Sequence, residues 1–406
     1  MTFWRREPDL DPAEVGVDAT ALDDIALGFE RTLDEGTLVH GAQLAVYRRG
    51  ARVLDVGAGM ARVRTGAPVN PDTLFVLFSS TKGLAALAML MLYERGAFHY
   101  DEPVVKYWPE FARVVPEKSA ITIRHVMSHR AGFPLGPRGF RPEQWVDPAE
   151  IRRAMEEVRL RFTPGERNAY HVMNYGHMIG ELIPRIDGRD CGRFLREEVF
   201  EPLALRDLHV GLPDDPALED RVAWCYGELG ITSIVSGAQR DADPDTLGVR
   251  VEQAEIPPEY ADRPELANAF NRPEIHRAVL PAAGGIGTAR DLGAVFAVLA
   301  CGGARGDVKL ASAEGLRMVA TPSNRRGDKD GTLGFPIRWA TGFHVGAHGR
   351  GSTLATFGHG GAGGQMVFAD PDRQLAFAFT CNGELTPDFL QWRYDLQSLA
   401  FAACRD

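Results

Sequence analysis

Lysine is the scarce residue of this sequence, with five copies in 406 residues against 40 arginines. Cysteine is scarce as well. Its five copies (Cys191, Cys225, Cys301, Cys381 and Cys404) are odd in number, far apart and never spaced C-x-x-C, which indicates neither a disulfide framework nor a zinc cluster. A surplus of basic charge is missing. The formal net charge of −10 argues against nucleic acid and anionic membrane surfaces as partners. No apolar run approaches transmembrane length, and the segment Met1 to Asp9 has no apolar signal core, so a cytoplasmic protein is expected. G-x-S-x-G is absent, which counts against the nucleophile elbow of an α/β-hydrolase. H-E-x-x-H is absent too, and no metal or organic cofactor is expected. His344, His348 and His359, spread over a glycine-rich region, are the only metal candidates, and weak ones. Gly284-Gly285-Ile286-Gly287 follows no strand of a βαβ unit, so a phosphate-cradling role is not supported.

What is present is an ordinary soluble composition, 45% apolar and 25% charged, in a chain long enough for two domains or one elaborated one. The stretch with the most chemistry is Ser79-Ser80-Thr81-Lys82, which ends the extended apolar run Thr73–Phe78 and opens an apolar helix through Leu92. A first helical turn carrying Ser-x-x-Lys places the Lys82 amine within reach of the Ser79 hydroxyl. Free N–H groups and the positive dipole end there favour a serine that passes through an alkoxide. With ten serines and five lysines, about 0.1 chance pairs at this spacing are expected, and this is the one pair found. The competing reading is a capping serine before a surface lysine. The apolar surroundings oppose it, because lysine is rarely buried without a task.

Along the chain, residues 12–37 show helical spacing, and 41–47 and 52–56 read as strands joined through Arg49-Gly50. Glu94-Arg95-Gly96 closes the Ser79 helix. Residues 121–129 predict a short capped helix, 148–158 and 174–187 predict further helices, and Gly188 is a stop. Residues 212–220 and 236–275, rich in Pro, Asp and Gly, predict surface excursions bordering a cleft. A helix over 288–300 precedes strands at 339–345, 365–368 and 375–380, with a turn at Asp370-Pro371-Asp372. A helix over 387–403 ends the chain. This order predicts an α+β fold. Residues 1–75 and 300–406 would form a sheet domain from both termini, and 76–299 a mainly helical inserted domain, with the site at their junction.

Two other segments carry candidate chemistry. Tyr170-His171-Val172 follows a Pro164-Gly165 turn, and Tyr170 beside a cationic Lys82 could be drawn toward phenolate and serve as base, though by itself it reads as an ordinary packed tyrosine. In Phe357–Gln365, five glycines and His359 at the start of a strand allow close backbone approach. Their N–H groups could complete an oxyanion hole with that of Ser79. The plainer alternative is a hairpin loop.

Ser79-x-x-Lys82, Tyr170-His171-Val172 and His359-Gly360-Gly361 come in the order and approximate spacing of the serine β-lactamase/penicillin-binding-protein superfamily. Asp72-Thr73-Leu74-Phe75, Glu94-Arg95-Gly96, Asp101–Val104, Pro164-Gly165-Glu166 and Gly285–Leu292 agree with it. The resemblance runs from about residue 15 to 400 and is nearest to the class C-like, family VIII carboxylesterases. It implies a β-lactamase-like fold, an antiparallel sheet flanked by helices with an inserted mainly helical domain. It further implies an acylated Ser79, a base role shared by Lys82 and Tyr170, and oxyanion donors at the N–H groups of Ser79 and Ala362. His359 and Gly360 would stand where the lysine and threonine of Lys-Thr-Gly stand, with Gly361 completing the triplet, and Val172 replaces the asparagine of Tyr-x-Asn. A neutral imidazole and a glycine make a poor carboxylate clamp, so the resemblance implies uncharged carboxylic esters over β-lactams. An acyltransferase, a weak β-lactamase activity and a non-catalytic binding protein are the alternatives. A small-molecule ester is the expected partner, with no nucleic acid, no membrane and, at most, further copies of the chain.

Overall fold

The structure, a computed structural model, describes residues 3–34, 39–136, 140–226, 263–383 and 386–405. Its largest element is an antiparallel sheet of eight strands. Seven form its path: β1 (Trp4–Arg5), β2 (Gly41–Arg48), β3 (Ala51–Arg62), β4 (His344–Val345), β5 (Phe357–Gly360), β6 (Met366–Asp370) and β7 (Leu375–Cys381). They lie in the order β1-β3-β2-β7-β6-β5-β4, and Ala67–Pro68 pairs with β3 off this path. The β2–β3 hairpin turns on Arg49 and Gly50, both left-handed at φ 51° and 80°, as the tight two-residue turn between twisted strands requires. β7 pairs with β2, Phe377 opposite Val46, and so joins strands from opposite ends of the chain.

Both faces of the sheet are covered, which is why β2 and β7 are apolar throughout rather than alternating. Leu44 and Val46 face helix α1 (Ala19–Asp34) and the C-terminal helix, Pro387–Ala402, in a core with Phe29, Phe377, Phe379 and Phe389. Ala45 and Tyr47 face the opposite way, toward α2 (Thr81–Glu94) and Ala289–Ala300. The 289–300 helix, placed by the sequence reading at the end of the helical block, packs on β7, β2 and β6. Its Gly293 lies against Tyr47 and Ala378, so sheet and helix meet closely. Helices α3 (Asn174–Asp187) and α4 (Ala289–Ala300) flank α2, and α5 is the C-terminal helix Pro387–Ala402.

A second, three-stranded sheet of Phe75–Val76, Gly285–Gly287 and Leu208–Val210 leads the chain into α2. Among the described residues no helix is long and apolar enough to cross a membrane. Residues 236–262 of the expected surface excursions lie outside the described residues.

Three local expectations change. Ser79 lies in a 3-10 turn, Phe78–Ser80, and α2 begins only at Thr81. The expected strand over 339–345 is a reversal in which Trp339 pairs with His344 and Ala340 N–H bonds Phe343 O. Gly342 takes φ +88° there, and any side chain on it would strike the Ala86 side chain of α2. The glycines after His359 end one strand and join it to the next, rather than opening a strand. Phe296 of α4 is wholly buried against α2, so Phe296→Ala is expected to cost about 3–5 kcal/mol in urea unfolding. A loss below about 1 kcal/mol would contradict this packing.

Candidate active site

Ser79 follows Phe78, whose φ of +43° is a left-handed conformation rare for a bulky residue. Such strain persists only where the surroundings over-determine it. Here Leu77 N–H bonds Gly285 O at 2.7 Å, the Thr81 hydroxyl bonds Phe78 O at 2.6 Å, and Gly285 N–H bonds that same hydroxyl at 2.9 Å. Ser80 Oγ donates to His359 O at 3.1 Å, tying β5 to the turn.

Lys82, one turn on, donates to Ser79 Oγ at 3.0 Å and to Ala282 O at 2.9 Å. It is fully buried, and no carboxylate pairs with it among the described residues. The Ala282 carbonyl can come this close because Gly176 of α3 lies against the Ala282 backbone, where a Cβ would sit 2.2 Å from Ala282 N. Burial therefore pushes the Lys82 ammonium well below the usual lysine value.

The Lys82 amine stands 5.0 Å from the centre of the Tyr170 ring. Burial pushes the Tyr170 phenol above its usual value. A hydrogen bond with the Ser79 side chain opposes the rise, and the Asp330 charge adds to it. The expected drift of Tyr170 toward phenolate beside a lysine cation is thus reversed. Burial disfavours the charged form of both groups and so favours an uncharged amine and an uncharged phenol around the serine hydroxyl.

Beyond β5, Gly361 to Gly364 make a reverse turn closed by Gly364 N–H to Gly361 O at 3.0 Å. Ala362 is the first central residue of that turn, so its N–H is not used by the turn bond. Ser79 is the second residue of its 3-10 turn, where the N–H likewise lacks a partner within the turn. The two turns touch. A Cβ on Gly361 would lie 2.7 Å from Leu77 O, and Ala362 and Phe78 share one apolar cluster.

Ser79, Lys82, Tyr170, His359, Gly360, Gly361 and Ala362 are therefore brought together. His359 is buried, its Nδ1 bonds Gly360 O at 2.7 Å, and burial holds its pKa down at about 3, so it is neutral. Val172 is buried in one small apolar cluster with Tyr170 and Trp339. His344 and His348 are occupied otherwise. His344 Nε2 accepts from Gly360 N–H at 3.0 Å, and His348 Nε2 bonds His344 O at 3.2 Å. Among the described residues no group of three or more His, Cys, Asp or Glu is placed to hold a metal ion.

Sequence reasoning missed Asp330, Trp339, His129 and Ala282. Trp339 stacks on Tyr170 with ring centres 5.2 Å apart and planes 6° from parallel, and His129 meets Tyr170 edge-on at 4.9 Å. Asp330-Gly331 is a turn signal in the sequence, but nothing local shows that its carboxylate faces a tyrosine 160 residues away.

Buried histidines make the fold acid-sensitive. Burial holds His171, His177 and His359 down at about 3 and His348 at about 4, against an ordinary value of 6.5. The unfolded chain binds their protons near pH 6.5 and the folded chain only near 3–4. Their contribution is thus complete above about 6.5 and lost as the pH falls through that window. Urea unfolding is expected to show stability dropping continuously from about pH 7 to about pH 4. A flat stability over that range would contradict the neutral histidine cluster.

Comparison with known proteins identifies the family and the fold. The family model described as Beta-lactamase matches residues 29–400. The chain is 31% identical over 354 residues to "Esterase/beta-lactamase LipL" of Mycobacterium tuberculosis, covering 86% of this chain and 78% of that protein. The crystal structure of a penicillin-binding protein homologue from Caulobacter crescentus is 29% identical with a TM-score of 0.79, covering 99% of this chain and 100% of that one. That of a family VIII carboxylesterase is 26% identical with a TM-score of 0.77, covering 98% and 100%. The fold is β-lactamase-like, its relatives include esterases, and the chain belongs to the Beta-lactamase family.

Proposed function

We propose that this hydrolase cleaves small, uncharged carboxylic esters through an acyl-Ser79 intermediate. The observation that carries the reading is the buried Lys82 amine, hydrogen-bonded to Ser79 Oγ with no carboxylate among the described residues to keep it charged. A neutral amine can take the serine proton as Oγ attacks the ester carbonyl. The tetrahedral oxyanion then lies against the N–H groups of Ser79 and Ala362. Collapse breaks the bond to the alkoxide, which leaves as alcohol with a proton returned from Lys82 through the Tyr170 hydroxyl. A water deprotonated by the same pair attacks the acyl carbon, frees the acid and restores the Ser79 hydroxyl.

Ester selectivity rests on His359. A neutral imidazole and Gly360 offer no cation to a substrate carboxylate, and a lost charge-assisted hydrogen bond costs about 1.5–3 kcal/mol. The relatives named esterases and the family VIII carboxylesterase structure support ester cleavage as the reaction.

The test is intact-protein mass spectrometry with a short-chain p-nitrophenyl ester, with nitrophenol release followed in parallel. Steady turnover with an acyl adduct mapped to Ser79 is expected, and Ser79→Ala should lower the rate by about 10³-fold or more. Full activity in the Ser79→Ala variant would end the reading. Cephalosporins are expected to react about 10- to 100-fold more slowly than simple esters in kcat/KM. Equal rates would refute the argument from His359.

A further inference from the structure

Asp330 lies in a loop far from Ser79, Lys82 and Tyr170 in sequence, and it is 2% exposed. Its Oδ1 accepts three backbone N–H groups, from Thr332 and Leu333 at 2.8 Å each and from Tyr170 at 3.1 Å. Its Oδ2 accepts the indole N–H of Trp339 at 2.8 Å. Trp339 is the ring stacked face to face on Tyr170. One carboxylate therefore holds the tyrosine twice, by its main chain and by the surface on which its ring rests. Gly331 N–H to Asn168 O at 2.9 Å clamps the same loop to the stretch of chain leading to Tyr170.

We infer that Asp330 is the positioning residue of Tyr170, setting both the place of its backbone and, through Trp339, the plane of its ring against Ser79 and Lys82. The inference rests on the reading of Tyr170 as a catalytic residue. All four partners of the carboxylate are N–H donors, which satisfy an ionised carboxylate and leave no acceptor for a carboxyl proton. The charge also acts on the phenol. Of the groups around Tyr170, Lys82 from α2, His129 from the preceding loop and His359 from β5 are all held toward their neutral forms by burial. Burial pushes the Asp330 carboxyl up as well, while the N–H groups of Leu333, Tyr170, Thr332 and the Trp339 indole pull against that rise; among the described residues it is the group beside Tyr170 whose hydrogen bonds all favour the anion. Asp330 thus opposes phenolate and favours Tyr170 as a hydroxyl that relays a proton.

An asparagine at this position can keep the three amide bonds through its oxygen, but its NH₂ meets the indole N–H donor to donor. Asp330→Asn should lower kcat per acylatable Ser79, counted by adduct stoichiometry, by about 10- to 100-fold with KM little changed. Removing the anion should also move the alkaline limb of the kcat profile to lower pH. A global loss of folded protein would lower the adduct count and leave the rate per site and the pH profile unmoved.

Trp339→Phe keeps an aromatic face for Tyr170 and loses only the indole bond. Its kcat per site should fall by about 3- to 10-fold, and Trp339→Ala by more. This pair decides the matter if Asp330→Asn does not fold. Tyr170→Phe is measured alongside. If it retains full activity, the catalytic reading of Tyr170 fails. If it is inactive while Asp330→Asn, or both Trp339 variants, match the parent per site, this inference alone is overturned.

Discussion

Much of the site depends on one ammonium group that has been taken out of water with no counter-ion among the described residues. Moving an isolated charge into a protein interior costs several kcal/mol even after relaxation, so the group sheds its proton unless it is paired. Lys82 has Ser79 Oγ and Ala282 O for partners and, among the described residues, no carboxylate. A buried aspartate beside it would restore the charge and remove the base. The scarcity of lysine in the chain, five against 40 arginines, fits this use, because guanidinium cannot be made neutral by burial in the same way.

The surrounding architecture keeps that amine dry and aimed. Helix α2 is buried from Thr81 to Leu92, flanked by α3 and α4, with the reversal at Gly342 pressed against Ala86. Phe78 is held left-handed by bonds from both sides, which turns Ser79 toward the Gly361–Gly364 turn. The sheet contributes that turn through β5 and β6. Because β7 pairs with β2, residues near 45 and near 378 form one surface under α4. The meeting of the Gly361–Gly364 turn with the Leu77–Phe78 segment is therefore a product of the whole strand order.

Local chemistry in the sequence was a good guide where it is set by neighbours along the chain. The Arg49-Gly50 hairpin, the short capped helix within 121–129, the 174–187 helix with Gly188 left-handed at its end, and the turn after Asp370 all have the form their residues imply. Ser79 and Lys82 were legible for the same reason, being three residues apart in a helical stretch. Legibility failed where distant segments decide. The stretch from Trp339 reads as a strand by its apolar residues, yet it reverses because Trp339 is pulled to Asp330 and Gly342 must clear α2. Burial, which no local pattern measures, also changed the expected state of Tyr170, since a lysine that is itself neutralised cannot draw out a phenolate.

The most direct test is the ionisation of Lys82 itself. With five lysines, ¹³C labelling at Cε should give a spectrum simple enough to assign, using Lys82→Arg to identify the resonance. Lys118, buried against the Met155 and Glu156 carbonyls, is expected to titrate at about 8. Lys82 should titrate well below its ordinary value of 10.5, because burial disfavours its charged form. A Lys82 resonance that titrates near 10.5 would mean a charged lysine in the resting site, and would contradict the account of Ser79 activation.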